Sequence, residues 1–514
     1  MIEGKELSEE IKQRPLEMNS HRDLNVEVLP NSVLVLLRNS WGEIEWVLPV
    51  LWRLKQLNPS ARIYTVFSSD SFYEEKFLFP ALFRLLEDVS ECVYRPFGMI
   101  GVETTWAWPV FASKQLIVDR SAESSDAELR IVERWEKLVG HLATLREKGE
   151  ITEDVFEAKL EQVRTMAKDF QIGLVQKRET RSEEIENDYI HALLERELPE
   201  VKFDVIIRDA GYDFRFHQKI IDRFPEAPVI RGEHGFDLTN RAGSDVDQEF
   251  AKLAKKSMHL RGRADLWLTC CQNLSEYLRV YWKANDISEV GFPRLDLWWV
   301  EQVLEASANE ITEMNLPNDC QPVLWLTRHV DDHCFTQESW TRIVRGTLKV
   351  ISERPHVHLI VKPHPRQDLA LLVKELEVLP SERWTLWMGS TLSAASKADV
   401  VISVWTSAIL DAMAAGKPII EYFEYPKEQI NQAVGRDGQV TGGWREFGLV
   451  APADSPADVH RLLDLWETEP NHEIWESQRK AFEELHPPSA DHSEVTVREI
   501  ARVVGTFREA GDAH

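Results

Sequence analysis

Cysteine is scarce in this 514-residue sequence, and the five present, Cys92, Cys270, Cys271, Cys320 and Cys334, show no CxxC or Cys/His metal spacing. An odd, scattered set excludes a disulfide framework, predicts unpaired thiols in a reducing compartment, and gives no expectation of a zinc site. Long apolar runs are also missing. The stretch VLVLL at 33–37 falls far below the ~20 residues that cross a bilayer, so no transmembrane helix is predicted. The first 30 residues carry many acidic groups and no hydrophobic signal stretch, and a cytoplasmic location is expected. Positive charge is in short supply: 60 lysines and arginines face 86 aspartates and glutamates, for a net charge of −26. Such a surface repels polyphosphates and argues against a nucleic-acid partner. No Gly/Ser-rich or Pro-rich linker interrupts the chain, so its domains are expected to form one body with a cleft between them.

With 43% hydrophobic and 28% charged residues, the composition is that of a globular protein. The β-branched and Leu-rich run VLVLL is followed by a loop (RNSWGEIEW), an amphipathic stretch and a second strand, ARIYTVF. The alternation resumes at FDVIIRD (203–209), APVIRGEHG (227–235) and ADLWLTCC (264–271). After a polar, acidic connector at 300–320 it starts again with PVLWLT, HVHLIVKP, RWTLWM, ADVVISV and KPIIEYF. Strands separated by helical segments imply parallel sheets with crossover helices. The predicted fold class is α/β, with two doubly wound Rossmann-like domains at 30–300 and 320–465. Closing helices at 470–514 carry Trp475, Phe482 and Val495 back toward the first domain.

Residues 121–200 break the rhythm with a charged helical region inside the first domain. Ile131, Trp135, Leu138, Leu142 and Leu145 recur at steps of four and three, as do Phe156, Leu160, Val163, Ala167 and Phe170. The break at Lys148-Gly149-Glu150 makes this a helical hairpin. It is read either as an excursion packing on its own sheet or as an arm for homodimer or partner docking.

The sharpest local signal is KPHPR. It follows the strand HLIV and presents Lys362, His364 and Arg366 at one strand end, with Pro363 and Pro365 stiffening the turn. Ligands of parallel sheets bind outside the carboxyl ends of strands, so a phosphate-binding loop is the natural use. A turn alone could use His364 to bond backbone, but three cationic groups exceed what a turn needs. In ADVVISVWTSAILDAMAAGKPII the strand ends at Ser403, Thr406 is placed to cap a helix starting at Ser407, and Gly416 to terminate it. Thr327 and Arg328, ending another strand, are candidate donor-phosphate contacts. Asp331 and Asp332 in HVDDH are adjacent rather than alternating, and His329 and His333 read equally well as surface-loop residues, so no metal site is expected there.

These motifs together resemble the carboxyl-terminal domain of metal-independent glycosyltransferases of the B-type fold. The nearer resemblance is to bacterial surface-polysaccharide enzymes with cytidine-nucleotide donors: capsule Kdo transferases, sialyl- and polysialyltransferases, and teichoic-acid glycerophosphotransferases. In them an HP motif contacts the donor nucleotide and a Ser/Thr motif at a helix start holds its phosphate. The matching positions are His364 and Pro365, and Ser403, Thr406 and Ser407. VGFPRLDLW resembles their interdomain GxPRxD turn, through Gly291, Pro293, Arg294 and Asp296. The resemblance implies a nucleotide-sugar donor, a glycan, lipid or protein acceptor, no cofactor, no catalytic metal, and work at the inner face of a membrane. A related sugar-nucleotide epimerase and a noncatalytic organiser of surface-glycan assembly are the alternatives.

In the first half the analogous place is RGEHGFD, again after a strand. The resemblance puts a general base here. Kdo and sialic acid transferases often carry an acidic-acidic-Gly motif, the glycerophosphotransferases a His-Gly pair, and this chain has Glu233, His234 and Gly235. Either Glu233 or His234 can take a proton from an acceptor hydroxyl. Asp209, with Gly211 and Asp213, ends a neighbouring strand and is held in reserve. Asn39 to Gly42 are read as a weaker loop candidate.

Overall fold

A computed structural model describes residues 29–37, 41–68, 80–94, 146, 156, 190–198, 201–209, 215–232, 262–314, 316–330, 335–364, 367–424, 433–434 and 440–512. Two parallel sheets dominate it. The first comprises β1 (Ser32–Leu37), β2 (Arg62–Phe67), β3 (Cys92–Tyr94), β4 (Val205–Asp209), β5 (Val229–Gly232), β6 (Leu266–Thr269) and β7 (Ile287–Glu289), in the order β3-β2-β1-β4-β5-β6-β7. The second comprises β8 (Gln321–Leu326), β9 (Val357–Lys362), β10 (Trp384–Leu386), β11 (Val400–Ser403), β12 (Ile419–Tyr422) and, after a short antiparallel ribbon of β13 (Ala433–Val434) and β14 (Val440–Thr441), β15 (Ala451–Ala453). Its order, β10-β9-β8-β11-β12-β15, repeats that of the first. Both sheets therefore reverse direction beside their first strand, which is the doubly wound Rossmann order.

The strand sequences explain why both faces are covered. In β1, Val33, Val35 and Leu37 enter the core beneath α1 (Trp41–Leu57), while Leu34 and Leu36 pack on the other face with Tyr64, Phe203 and Phe216. In β8, Val323 and Trp325 join Trp340 and Ile343 of α2 (Gln337–Ser352), while Leu324 and Leu326 face Ala394, Ala395 and Ile409. Period-two alternation with both phases apolar requires a sheet buried on both sides. Each fully buried aliphatic side chain contributes about 1.5–3 kcal/mol. Side-chain caps fix the crossover helices: Thr336, Asp368 and Ser390 accept from the amides of Ser339, Leu371 and Ser393.

Several local expectations need correction. The stretch read as a loop after β1 is already helical at Trp41, and α1 runs through Pro49, so Gly42 is a helix residue. The acidic connector contains a helix, Leu297–Ala306, that buries Trp299, Val300 and Val303 in the first-domain core. The hairpin expected at 121–200 lies almost entirely outside the described residues. Of it, Arg146 and Phe156 are helical, and Phe156 is buried with the second-domain core. The described cysteines, Cys92, Cys270, Cys271 and Cys320, are free. No helix among the described residues is long and apolar enough to cross a membrane.

The closing helices divide between the two domains: Trp475 and Phe482, expected against the first domain, pack on the second, and only Val495 of the three packs on the first. Trp475 of α3 (Glu473–Leu485) enters the second-domain core, whereas Val497, Ile500, Val503 and Val504 of α4 (His492–Asp512) enter the first. The crossing is fastened by Asp296 of the interdomain turn. Its Oδ1 accepts from the His492 amide at 3.0 Å, and its Oδ2 accepts from the Ser493 amide at 2.8 Å and the Ser493 hydroxyl at 2.6 Å. Burial pushes Asp296 up to about 6 against the pull of those bonds, and pushes His486 down to about 3 and His492 to about 4.

Candidate functional site

The switch point of the second sheet lies between β8 and β11, and three adjacent strands end there on one level. Leu326 pairs with Lys362 on one side and with Ser403 on the other. The ladder continues one step beyond, with the Thr327 amide donating to the Lys362 carbonyl at 3.1 Å and the Val404 amide to the Leu326 carbonyl at 3.2 Å. Thr327, Lys362, His364, Ser403, Thr406 and Ser407, chosen from separate stretches of sequence, are thereby brought to one edge.

Their side chains differ in what they offer. Thr327 is buried, with its hydroxyl 3.4 Å from Gln367 Oε1. His364 is half-buried, and its carbonyl accepts from the Gln367 amide at 2.8 Å; Pro365 and Arg366 lie outside the described residues. The Ser403 hydroxyl is fully buried and donates to the Ile420 carbonyl at 3.5 Å, so it serves the strand pair. Thr406 accepts from the Ala408 amide at 3.3 Å, and the helix begins at Ile409 rather than Ser407. It runs only to Ala414, ending at Gly416 (φ +73°) as the glycine position required. A helix this short contributes little dipole, leaving the hydroxyls and cations as the polar equipment of this edge.

Two residues here were misjudged or overlooked in the sequence. His329, which in the sequence reads equally well as a surface-loop residue, is buried, and its ring lies against that of His364 at 4.2 Å between centroids. Trp405 carries φ +37°, a left-handed conformation that is a genuine outlier for a bulky side chain. Its ring lies 4.5 Å under the Arg328 guanidinium, and its carbonyl accepts from Arg328 Nη1 at 3.1 Å. Arg328 is thus held in place at the strand end by both a cation–π contact and a hydrogen bond.

Behind this edge runs a chain of charges that crosses the seam. Arg294 Nη1 donates to Glu45 Oε2 of α1 at 2.8 Å, and Arg294 Nε lies 3.5 Å from Asp411 Oδ1 in the second domain. Burial raises the Asp411 pKa, opposed by the positive charges of Arg294 and Lys362. The GxPRxD turn therefore connects through Asp411 to Lys362 at the switch-point edge.

On the first sheet, Asp209 ends β4 beside Gly232 of β5, and both sit at the carboxyl edge. Asp209 is buried. Glu233, His234, Gly211 and Asp213 lie outside the described residues. A small cavity lined by Trp46, Gly232, Cys270, Gly291 and Pro293 opens where this edge meets the interdomain turn.

This is the architecture of the B-type glycosyltransferase fold: two Rossmann-type sheets and a terminal helix returning to the first. No family model and no curated protein matches the sequence. Among solved structures, a co-structure of S. aureus MnaA with UDP aligns at a TM-score of 0.47 and 10% identity, covering 92% of this chain and 97% of that one. A UDP-GlcNAc 2-epimerase from Neisseria meningitidis bound to UDP-GlcNAc aligns at 0.48 and 11%, covering 92% and 100%. The wall teichoic acid polymerase TagF aligns at 0.44 and 10%, covering 95% and 91%.

Proposed function

We propose that this chain is a metal-independent glycosyltransferase, moving an acidic sugar of the Kdo or sialic-acid kind from a cytidine nucleotide to a surface glycan, lipid or protein acceptor at the inner face of a membrane. The observation that carries the reading is the convergence of Thr327, Lys362, His364 and the Ser403–Ser407 segment on one edge at the switch point. On this reading Lys362, His364, Arg366 and Arg328 face the donor phosphate and stabilise the negative charge that grows on it as the bond to the sugar breaks. The acceptor oxygen forms the new bond to the anomeric carbon, the nucleotide departs with the old bonding pair, and Glu233 or His234 takes the acceptor proton. Asp209 stands beside that position as the reserve base.

A thermal-shift series with CMP, CDP, UDP and GDP tests the donor assignment, because a ligand bound only by the folded state raises stability in proportion to the logarithm of its saturation. The cytidine nucleotides are expected to give the larger shift. Preference for UDP or GDP overturns the cytidine donor, and no shift with any of them overturns the nucleotide site. Turnover of a sugar nucleotide without acceptor would make the chain an epimerase instead.

A further inference from the structure

Away from the donor edge, three buried side chains from distant parts of the chain meet where α4 crosses to the first domain. Asp296 belongs to the interdomain turn, His486 follows α3, and His492 opens α4. One ligating atom from each lies within 4.8 Å of the others. Asp296 Oδ1 is 3.8 Å from His486 Nε2 and 4.0 Å from His492 Nδ1, and the two imidazoles meet edge to face at 4.6 Å.

His486 is the informative member. Its side chain is 1% exposed, and although the Leu295 carbonyl is near enough to favour its charged form, neither ring nitrogen completes a hydrogen bond among the described residues. A buried imidazole with both nitrogens unsatisfied is costly and calls for a partner such as a water or an ion. Nothing in chain folding obliges a histidine here, since an apolar side chain would fill the space without that cost. The Asp296 carboxylate already caps α4, yet each of its oxygens keeps lone-pair capacity beyond the bonds it accepts.

We propose that Asp296, His486 and His492 bind a divalent first-row metal ion, of which zinc is the best fit, and that the ion clamps the closing helices to the interdomain turn. Two imidazole nitrogens and a carboxylate oxygen are a normal zinc donor set. Bonds of about 2.0–2.2 Å bring the ligand atoms closer than they stand here, which side-chain rotation can supply. His492 Nδ1 accepts from the Phe292 amide at 3.0 Å, so coordination through that nitrogen exchanges one hydrogen bond for a metal bond. Gly291, whose φ is +73° and whose missing Cβ would strike the His492 ring at 2.5 Å, lines the small cavity together with Pro293 and Thr496. The ion's role is structural and separate from sugar transfer. Spacing along the sequence conceals such a site, because nearly two hundred residues separate the carboxylate from the imidazoles.

The test uses the full chain, stripped with a chelator and titrated with zinc chloride at pH 7.5. One ion per chain, a raised Tm and at least a hundredfold weaker binding in His486→Phe are expected, whereas the exposed-site control His356→Ala keeps wild-type affinity. Zinc K-edge absorption on the wild-type protein supplies the second arm, so a variant that fails to fold does not stall the answer. It should show two imidazoles with oxygen ligands. Sulfur ligation, a single imidazole, affinity unchanged in a folded His486→Phe chain, or no stoichiometric zinc overturns the site.

Discussion

The carbonyl of half-buried His364 accepts the Gln367 amide that closes its turn, a bond that removing the ring should leave in place. His364→Ala is expected to delete a hydrogen bond to a charged phosphate, worth about 1.5–3 kcal/mol, and so weaken nucleotide affinity about ten- to a hundredfold. Calorimetric titration of the variant checks this, and unchanged affinity in a folded protein refutes the phosphate-loop role. The base is settled by a paired comparison. If Glu233 takes the acceptor proton, Glu233→Gln should bind nucleotide normally but lose about 10² to 10⁴ in turnover, and His234→Ala should lose less. The reverse order makes His234 the base and brings the chain nearer the glycerophosphotransferase pattern. Failure of both to slow turnover moves the search to Asp209. At this scale the sequence revealed residues whose neighbours in the chain share their task, as in KPHPR. It concealed His329, because HVDDH looks like an ordinary solvated loop and the ring that packs on His329 comes from the next strand unit.

Elements were legible in proportion to their length and apolarity. Runs such as VLVLL and HLIV, buried on both faces, announce themselves. Of the four three-residue edge strands, β10 shows itself in RWTLWM, but β3, β7 and β15 do not: ISE is half-exposed and polar, and APA places a proline in the strand, where only an edge tolerates it. The helix after β1 starts earlier than expected because Asn, Ser and Gly in RNSWG argue for loop, whereas packing of Ile44, Val47, Leu48 and Leu51 in the core overrides that local preference. The end of the helix after β11 was correctly marked by Gly416, and this allows a clean measurement. Its φ is +73° and nothing lies within 4 Å of an added Cβ. Gly416→Ala should therefore cost only the left-handed backbone penalty, about 1–2 kcal/mol, seen as a lower midpoint in urea unfolding. A loss far above that would mean the residue touches something besides solvent.

At the scale of the molecule, two similar halves were readable from alternation, but the charges that fasten one half to the other were not, since they join residues more than a hundred positions apart. Glu45, Arg294 and Asp411 carry that connection. Because burial raises Asp411 despite two nearby cations, its folded pKa exceeds its unfolded one. Below the ordinary carboxylate pKa the group is neutral in both states and costs nothing. As pH climbs from there through the raised value, the folded state must ionise a buried acid and loses stability relative to the unfolded chain. Asp411→Asn should thus match wild type in acid and gain on it toward neutral pH, as followed by Tm across a pH series. A wild type that becomes the more stable partner as pH rises would show that the Arg294 attraction outweighs desolvation. Arg294→Met keeps most of the volume but leaves Asp411 buried beside one fewer cation and Glu45 without this ion pair. Breaking a fully buried pair costs about 3–5 kcal/mol, and the partial exposure of both carboxylates, 23% and 15%, lowers the expected loss to about 1–3 kcal/mol. In an Asp411→Asn background there is no buried anion left to strand, so the same Arg294→Met change should cost less. The difference, a coupling of about 0.5–3 kcal/mol, measures how strongly the interdomain turn is bound to the second domain. Simple additivity of the two substitutions would mean that the turn and Asp411 act independently.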